Sequence, residues 1–492
     1  FRMIIFLLLS FAAFLVYYFG INRILGLPPG PPPLPFIGNM PFFEWDMDKV
    51  LLSWKARYGS VFTVWLPFPM VVIGDHKLLH EHIVKNGDNF CERKIPEQLM
   101  DILAGGNYGL VFMDNSMAKE QRRFALRSLH DVGFGSAALE DTVYHYTREI
   151  VTRWRASGDD PVDVTENIMR AIGNIIWNIT FGITLEFDNP ELEKFRQIQQ
   201  DTIPLLANPF MMVVEQFPFL RKIDFLIGSP TKKLAKLNDD IFDYFKDAIK
   251  TCESNFNPDN RPVCYVEAFL TEAKRRDEAG EPIGNFHYTQ MLNCASTLWA
   301  AGFDTTVSVL RMAIIELVNH PEAQQRMQKE IDEVIGERRI RNEDAKLLPY
   351  TCAVLQEVYR LSNPLPINFL RRATQDTVIA GHPIAAGTPI LPQFSMVHNN
   401  PEEFERPEFF CPERHLNEQG QFVKDPRINP FSIGKRSCIG EQLARMEVFV
   451  MAATFVQSCN FTSVAKVPPA LEFTTGLSRT VEDFLVKIQP RN

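Results

Sequence analysis

The most apolar part of the chain is its start. Met3–Ile21 contain no charged residue, and Arg2 and Arg23 flank this run. Nineteen residues at about 1.5 Å each give roughly 28 Å of helix, close to the ~30 Å of a hydrocarbon core. A cleaved signal peptide has a shorter apolar run, about 7–15 residues, that ends in small residues, whereas this one ends in aromatic residues. The pattern predicts an uncleaved transmembrane anchor over residues 1–22.

A proline-rich stretch follows the apolar run. Leu27–Pro35 contains six prolines, and proline at this density favours an extended, semi-rigid spacer. A ligand for a proline-recognising domain has a similar composition. The position directly after the apolar run favours a linker over residues 23–38. No second linker and no repeat follows, which predicts one folded domain over residues 39–492.

Helical periodicity dominates this domain. Residues 60–66 and 70–73 have the pattern of two short strands. Ile283–His320 is the longest central stretch without proline. It is apolar on nearly all sides around residues 298–302, which predicts a helix that crosses the core. We therefore predict a mainly α fold with small β-sheets.

Composition and charge narrow the class of protein. The chain has 492 residues, of which 46% are hydrophobic and 23% charged, with a net charge of −9. These values exclude a disordered chain, a collagen, a coiled-coil rod and a whole-chain nucleic-acid binder. The eight cysteines form no C-x-x-C pair and no zinc-finger spacing. They predict reduced thiols in a cytosol-facing compartment.

One cysteine stands at the predicted start of a helix. Cys438 lies between two glycines, Gly434 and Gly440, just before a helical pattern that runs from Glu441 to about Ser458. Backbone N–H groups and the helix dipole at such a position favour a thiolate. The glycines allow a tight loop and the close approach of a flat ligand. A single cysteine is most often a buried structural residue. Cys438 alone does not decide between a structural role and a thiolate that contacts a ligand.

The surrounding pattern does decide. Phe-x-x-Gly-x-Arg-x-Cys-x-Gly resembles the haem-binding loop of the cytochrome P-450 superfamily, with matches at Phe431, Gly434, Arg436, Cys438 and Gly440. The resemblance implies a single-domain cytochrome P-450 fold behind the anchor. It implies that haem b (iron protoporphyrin IX) binds here, that Cys438 is the axial thiolate ligand of its iron, and that Phe431 packs near the sulfur.

A second motif resembles the buried ion pair of the same family. Glu357-Val358-Tyr359-Arg360 places an acid and a base on one helix face, which in isolation is common surface decoration. The resemblance implies a buried Glu357–Arg360 pair completed by Arg414, with all three residues structural. His415 follows Arg414 where the family commonly has phenylalanine.

A third motif lies in the predicted central helix. Ala301-Gly302-Phe303-Asp304-Thr305-Thr306 resembles the family's Ala/Gly-Gly-x-Asp/Glu-Thr-Thr. By this resemblance Asp304 and Thr305 are the catalytic pair that delivers protons, and Gly302 leaves room for dioxygen over the haem. A threonine that bonds back to a carbonyl four residues earlier is the alternative.

Three arginines are candidates for binding the haem propionates. Arg122 matches the arginine of the family's Trp-x-x-x-Arg, but Ala118 occupies the tryptophan position. Arg436, two residues before Cys438, is the second candidate. Arg371 lies where related members place a histidine or an arginine for the same task.

The distribution of basic residues and the family resemblance together predict the redox partners. Residues 119–127 carry four positive charges and one negative charge, and Lys435 and Arg445 flank the cysteine. This pattern predicts a basic patch for an acidic redox partner, with a solvated helix face as the alternative. The resemblance implies an NADPH-dependent flavoprotein reductase, with a cytochrome b-type protein as an optional second donor.

The substrate is expected to be small and lipophilic. Residues 298–302, 364–369 and 475–477 resemble the family's pocket-lining segments and are largely apolar. Residues 203–227, rich in Phe, Leu and Met, either enter the membrane surface or form an ordinary helix pair. The likeness to microsomal members implies a single-pass protein of the endoplasmic reticulum membrane whose catalytic domain faces the cytosol.

Three functions are compatible with these motifs. The first is a haem-thiolate monooxygenase that acts on a xenobiotic, a steroid or a fatty acid. The second is a haem-thiolate peroxide isomerase or dehydratase, which tends to lack the acid–threonine pair. The third is an inactive haem- or lipid-binding protein, for which Ala118 is the only hint. The intact Asp304, Thr305 and Cys438 favour the monooxygenase.

Overall fold

The structure, a computed structural model, covers most of the predicted globular domain. It describes residues 9–11, 13, 26–34, 37–42, 47–66, 68–134, 136–206, 208–465, 469, 473–475 and 478–491. The anchor predicted over residues 1–22 lies almost entirely outside the described residues and stays a prediction, as does the division into anchor, linker and domain.

Helices make up most of the described chain, as predicted. The α-helices are α1 (Met47–Tyr58), α2 (His76–Leu79), α3 (Glu97–Leu103), α4 (Asn115–Asp131), α5 (Ala137–Ala156), α6 (Val164–Phe181), α7 (Pro190–Leu206), α8 (Pro209–Gln216), α9 (Pro230–Asn255), α10 (Tyr265–Glu278), α11 (Tyr288–Asn319), α12 (Pro321–Val334), α13 (Pro349–Ser362), α14 (Ser395–His398) and α15 (Glu441–Ser458). A π-helical segment, His80–Lys85, continues α2. Short 3₁₀ segments are Met40–Phe42, Pro218–Ile227, Asn342–Lys346, Pro412–His415 and Gly434–Arg436.

The strands form small sheets at the edges of this helical body. They are β1 (Val61–Trp65), β2 (Pro69–Ile73), β3 (Glu92–Arg93), β4 (Val162–Asp163), β5 (Arg371–Arg372), β6 (Thr377–Ile379), β7 (His382–Ile384), β8 (Pro389–Pro392), β9 (Cys459–Ser463), β10 (Phe473–Thr475), β11 (Arg479–Val481) and β12 (Leu485–Pro490). The largest sheet has the order β1-β2-β8-β5-β3, and the others are β4-β12-β9, β6-β7 and β10-β11. β1 and β2 pair antiparallel with Val61 opposite Ile73, within one residue of the predicted strands.

Helix α11 crosses the core, as its apolar pattern predicts. The His287 side chain accepts a hydrogen bond from the N–H of Gln290 and so caps the first turn. Pro321 begins α12 directly after α11 ends, because proline at the first helical position lacks the N–H that would be unsatisfied there. Among the described residues α11 is the one helix long and apolar enough to cross a membrane, but most of its apolar window is buried inside the protein. It is therefore a core helix.

Two glycines allow α11 to approach α6 closely. A Cβ on Gly302 would lie 2.9 Å from Cδ1 of Ile176 in α6. A Cβ on Gly173 of α6 would lie 3.3 Å from the ring of Phe303. The side of Gly302 that lacks a side chain therefore faces a neighbouring helix. A Cβ at this position would meet Ile176, and the expectation that Gly302 leaves room over a haem stays a prediction.

Candidate active site

The cysteine loop is a tight turn braced by the π-helical segment. The N–H of Cys438 donates to the carbonyl oxygen of Phe431 at 2.8 Å. Gly434 has φ +74°, and a Cβ there would overlap the carbonyl oxygen of Ile83. Gly440 differs, because its φ is −94° and the nearest atom to a Cβ would be the Cys438 sulfur at 3.9 Å. Gly434 thus fulfils the predicted need for a tight loop, whereas at Gly440 neither the φ nor a close contact within the protein requires glycine.

The Cys438 thiol is at once surrounded by protein and exposed on one side. Burial raises the pKa of this thiol, and it outweighs the backbone N–H groups of Gly440 and Glu441 and the charge of Arg122, which lower the pKa. The backbone N–H groups at the start of α15 thus lower the pKa of the Cys438 thiol, as predicted. In the protein chain alone they do not make the thiolate the preferred form, so a positive charge at the sulfur is needed in addition.

The predicted propionate arginines lie around this loop. Arg122, on α4, donates to the carbonyl oxygen of Ser437 at 2.6 Å. Arg436 donates to the carbonyl oxygens of Cys91 at 2.6 Å and Met113 at 2.8 Å. The buried side chain of Arg371 donates to the Ser432 hydroxyl at 3.1 Å and to the Ile433 carbonyl oxygen at 2.9 Å. Arg122 and Arg371 therefore donate to the loop from two distant parts of the chain, and Arg436 extends from the loop to a third.

A fourth arginine, Arg93 of β3, belongs to the same cluster and was not predicted. Burial lowers the pKa of Arg93 well below its usual range, and the charges of Arg371, Arg436 and Arg122 add to this effect. Burial likewise lowers the pKa of Arg122 to about 10 and of Arg371 to about 9. Arg93 stands in a stretch without a recognisable motif, so no local pattern marked it; only the pairing of β3 with β5 brings it to Arg371.

The charge of this arginine cluster is only partly balanced by the residues that the structure describes. Asp114 accepts from the Arg93 backbone N–H at 3.1 Å and lies 3.8 Å from Arg436, but it also pairs with Arg372 at 2.8 Å. The buried Nε of Arg371 and Nη1 of Arg436 have no hydrogen-bond partner within the described protein. Because buried donors are costly when unpaired, the cluster fits a ligand that carries carboxylates.

The acid and hydroxyl predicted for proton delivery lie in consecutive positions on α11. Burial raises the pKa of Asp304 to about 6, and the charge of Arg311 opposes this increase. The Thr305 hydroxyl donates to the carbonyl oxygen of Ala301 at 2.8 Å, which is the back-bonding alternative. Ala300 and Ala301 are exposed in the middle of a helix that is mostly buried, so this part of α11 lines a cleft.

The Glu357 carboxylate is the buried centre of a cluster of charged side chains. Arg360 donates two hydrogen bonds to it, at 2.7 and 2.9 Å, and neither side chain is exposed. Arg414 donates to the same carboxylate at 3.1 Å. The structure thus brings together the three residues that the sequence grouped.

His415 is a fourth member of this cluster and was interpreted only as a departure from phenylalanine. Its Nε2 lies 2.8 Å from the Glu357 carboxylate. Although burial opposes it, the hydrogen bonds from Arg360 and His415 lower the pKa of Glu357 to about 2. An ionised carboxylate only accepts hydrogen bonds, so Nε2 of His415 must carry the proton. A polar residue in a normally aromatic position was the signal that could have identified this contact.

Comparisons with known proteins decide the family. The sequence profile of the cytochrome P-450 family matches residues 28–488. The chain is 38% identical to probable cytochrome P-450 CYP36A1 of Caenorhabditis elegans over 96% of both chains. It is 32% identical to cytochrome P-450 2J5 of Mus musculus, over 94% of this chain and 91% of that protein.

The chain belongs to the cytochrome P-450 family. It is therefore an enzyme, a haem-thiolate monooxygenase, and the predicted membership is confirmed. The geometry fits the haem that this family carries. The unbalanced arginine cluster suits two propionates, and a cysteine exposed to a cleft suits an iron ligand.

The substitution at Ala118 in this cytochrome P-450 is accommodated by packing. Ala118 is buried, with 2% of its surface exposed, so no polar group replaces the tryptophan expected there. Arg122, four residues later on α4, nevertheless reaches the cysteine loop. The position of this arginine thus does not depend on a tryptophan.

Proposed function

We propose that this cytochrome P-450 inserts one oxygen atom from dioxygen into a small lipophilic substrate, a xenobiotic, a steroid or a fatty acid. Electrons come from an NADPH-dependent flavoprotein reductase, with a cytochrome b-type protein as an optional donor. The observation that carries the proposal is the pairing of two features. An acid with a pKa near neutrality lies on α11, and an exposed cysteine lies in a loop surrounded by unbalanced arginines.

The cysteine loop and the arginine cluster hold the cofactor. Cys438 would ligate the haem iron through its sulfur. Arg122, Arg371 and Arg436 would bind the propionates, and Arg93 would assist them because it interacts electrostatically with these three arginines. When bound, the haem supplies the activation of dioxygen and the oxidising power. The protein supplies the thiolate ligand, the fixed orientation and a cleft lined by apolar residues.

The loop residues keep the sulfur in place. Phe431 packs edge-to-face on Tyr359, with ring centroids 5.5 Å apart, and the Arg445 guanidinium lies 4.7 Å from the centre of the Phe431 ring. Gly434 allows the loop to fit against the π-helical segment, and Gly440 would leave space for a flat cofactor beside the sulfur. The loop is supported structurally by Glu357, Arg360 and Arg414, which contact no reacting atom.

Asp304 and Thr305 deliver protons. With a pKa of about 6, about one Asp304 carboxyl in ten is protonated at pH 7, so this group both takes up and releases protons near neutral pH. Its position next to Thr305, whose hydroxyl bonds to a backbone carbonyl, provides a hydroxyl that rotates to relay a proton. A peroxide isomerase has no use for such a pair, which favours the monooxygenase.

A basic groove on α4 is the docking site for the electron donor. Lys119, Arg123 and Arg127 share one face of the helix, and none of them makes an ion pair with the residues that the structure describes. They border a groove of about 380 Å³. The groove also contains Glu120 and Glu272, which share Arg276 as an ion-pair partner at 2.7 and 2.8 Å, so its basic residues still outnumber its acidic ones. The excess positive charge favours an acidic partner surface.

Membrane association follows from the anchor and from a second apolar surface. The 3₁₀ segment Pro218–Ile227 exposes Phe219, Phe225 and Leu226, each with more than half of its surface accessible. Aromatic and aliphatic side chains exposed together are typical of a membrane-contacting surface. We therefore place the protein in the endoplasmic reticulum membrane, with its catalytic domain in the cytosol.

Two measurements test the proposed function. The carbon monoxide difference spectrum of the reduced protein should show the strongly red-shifted band of thiolate-ligated haem. NADPH consumption in the presence of a flavoprotein reductase should then rise with a lipophilic substrate and match the loss of that substrate. A haem band without thiolate character would contradict the assignment of Cys438. Substrate conversion without NADPH or dioxygen would favour the isomerase.

A further inference from the structure

Arg311 connects the central helix to the C-terminal hairpin of β10 and β11. It lies on α11, and only 5% of its surface is exposed. Its guanidinium donates to the Asp483 carboxylate at 2.8 Å and to the carbonyl oxygen of Glu482 at 2.9 Å. It also donates to the Thr480 hydroxyl of β11 at 3.2 Å. One buried side chain thus binds three residues within positions 480–483, at and just beyond the end of β11.

The other side of β11 is tied to a different part of the chain. The backbone N–H of Arg479 donates to the carbonyl oxygen of Pro364 at 2.7 Å. The Arg479 side chain donates to Asp48 at 2.6 Å, and Asn363 donates to the same carboxylate oxygen at 3.2 Å. β11 is therefore fixed between α11 on one side and residues 363–364 on the other.

These attachments involve segments that we assign to the substrate pocket. Residues 298–302 belong to α11, and residues 364–369 begin at the carbonyl that Arg479 contacts. Arg311 also lies seven residues after Asp304, which is about two helical turns along the same face. The charge of Arg311 therefore acts on the acid that delivers protons, and it lowers the pKa of Asp304.

We propose that Arg311 is a positioning residue for the monooxygenase reaction. It holds β11 against α11, so that this strand, α11 and residues 364–369 form one wall of the substrate pocket with a fixed geometry. The inference rests on the proposed function, because only a pocket for an organic substrate gives this wall a role in specificity.

The contacts of Arg311 differ in how much each contributes to holding β11 against α11. The Asp483 side chain is 78% exposed. Water therefore competes for its carboxylate, and the ion pair with Arg311 contributes little to stability. The hydrogen bonds to Glu482 and Thr480 are partly buried and do not involve the Asp483 side chain, although the Nη2 that donates to Glu482 also donates to Asp483. A lysine at position 311 would keep the charge near Asp304 but lose the fork that reaches several acceptors.

This difference gives a set of matched variants. Arg311→Gln removes both the fork and the charge, and Arg311→Lys removes the fork alone. Asp483→Asn leaves the contacts to Glu482 and Thr480 in place. Arg153→Gln is the control, because Arg153 makes a similar forked pair with Asp188 at 2.7 and 2.9 Å on the exposed surface.

Hydrogen exchange of the full haem-containing protein, followed by mass spectrometry, measures directly how firmly the backbone of β11 is held. Peptides that span residues 479–486 should exchange about tenfold faster or more in Arg311→Gln and Arg311→Lys, since a buried charged hydrogen bond is lost. They should exchange at the original rate in Asp483→Asn and Arg153→Gln. Unchanged exchange in Arg311→Lys, or equal acceleration in all four variants, would overturn the proposal. If Arg311→Gln does not fold, Arg311→Lys decides alone.

Ligand binding gives the second measurement. Affinities of imidazole and of the bulkier 4-phenylimidazole are read from the shift of the haem absorption band. In Arg311→Lys the affinity for 4-phenylimidazole should fall about tenfold, while that for imidazole stays unchanged, because only the larger ligand reaches the wall. An equal change for both ligands would refute a role in the pocket wall. Loss of the thiolate-type carbon monoxide band in the unsubstituted protein would contradict the proposed function instead, and the exchange result would still report on β11.

Discussion

Gly434→Ala is the substitution whose effect the structure defines most sharply. Gly434 has φ +74°, a conformation that costs an L-residue about 1–2 kcal/mol. The added Cβ would also overlap the Ile83 carbonyl oxygen of the π-helical segment, and forcing extra atoms into a packed site costs about 1–3 kcal/mol. We expect a total loss of roughly 2–5 kcal/mol in the free energy of unfolding.

Two other glycines separate these contributions. Gly420 has the same φ of +74° with nothing within 4 Å of a Cβ, so Gly420→Ala measures the backbone cost alone, about 1–2 kcal/mol. Gly440 has a negative φ and no close contact. Because it stands at the start of α15, Gly440→Ala should cost below about 1 kcal/mol.

The assay compares urea unfolding of the three variants with their carbon monoxide difference spectra. Gly434→Ala should lose stability and also lose part of the thiolate-type band, because the displaced loop carries Cys438. Gly420→Ala should keep the full band. If Gly434→Ala and Gly420→Ala lost the same stability and both kept the band, the Ile83 contact would have no effect, and the argument that it braces the cysteine loop would be refuted.

Three further predictions concern the cleft. Cys438→Ala should abolish the thiolate-type band in the carbon monoxide spectrum, and a retained band would show that another residue binds the iron. Thr305→Ala should release more peroxide per NADPH consumed, measured against product, and unchanged coupling would remove Thr305 from proton delivery. Because burial raises the pKa of Asp304 to about 6, its ionisation opposes folding by a free energy that grows from about pH 4 to about pH 6 and stays constant above. Asp304→Asn should therefore unfold at higher urea than the unsubstituted protein at pH 7.5, and this difference should vanish towards pH 4.

Local patterns in the sequence were sufficient to predict the main helices and strands and to identify the motifs. The strand pair β1–β2 and the core helix α11 follow from periodicity and from the flanking prolines. The contact between Glu357, Arg360 and Arg414 follows from the resemblance to a known family. In each case the information lies in a short stretch of chain or in a known pattern.

The contacts that the sequence did not reveal depend on long-range packing. Arg93 joins the arginine cluster only because β3 pairs with β5, nearly 280 residues later. Gly302 faces Ile176 because α6 crosses α11 at that point. The preference of Cys438 for the thiol form depends on burial by the whole domain. None of these is a property of the local sequence.

The buried Glu357 cluster also explains how a motif on α13 acts on a loop that it does not carry. Arg360 donates to the carbonyl oxygen of His398 at 2.8 Å, and the Nε2 of His398 accepts from the N–H of Asn429 at 3.0 Å. Burial and the charge of Arg360 lower the pKa of His398 to about 3, so its imidazole stays neutral and Nε2 remains an acceptor.

Asn429 stands two residues before Phe431, at the entrance of the cysteine loop. Hydrogen bonds therefore run without interruption from Glu357 through Arg360 and His398 to the loop. A buried ion cluster contributes little net stability by itself, because removing charges from water is costly. Its contribution here is the fixed position of the backbone at Asn429, and through it the direction in which the loop presents Cys438 to the cleft.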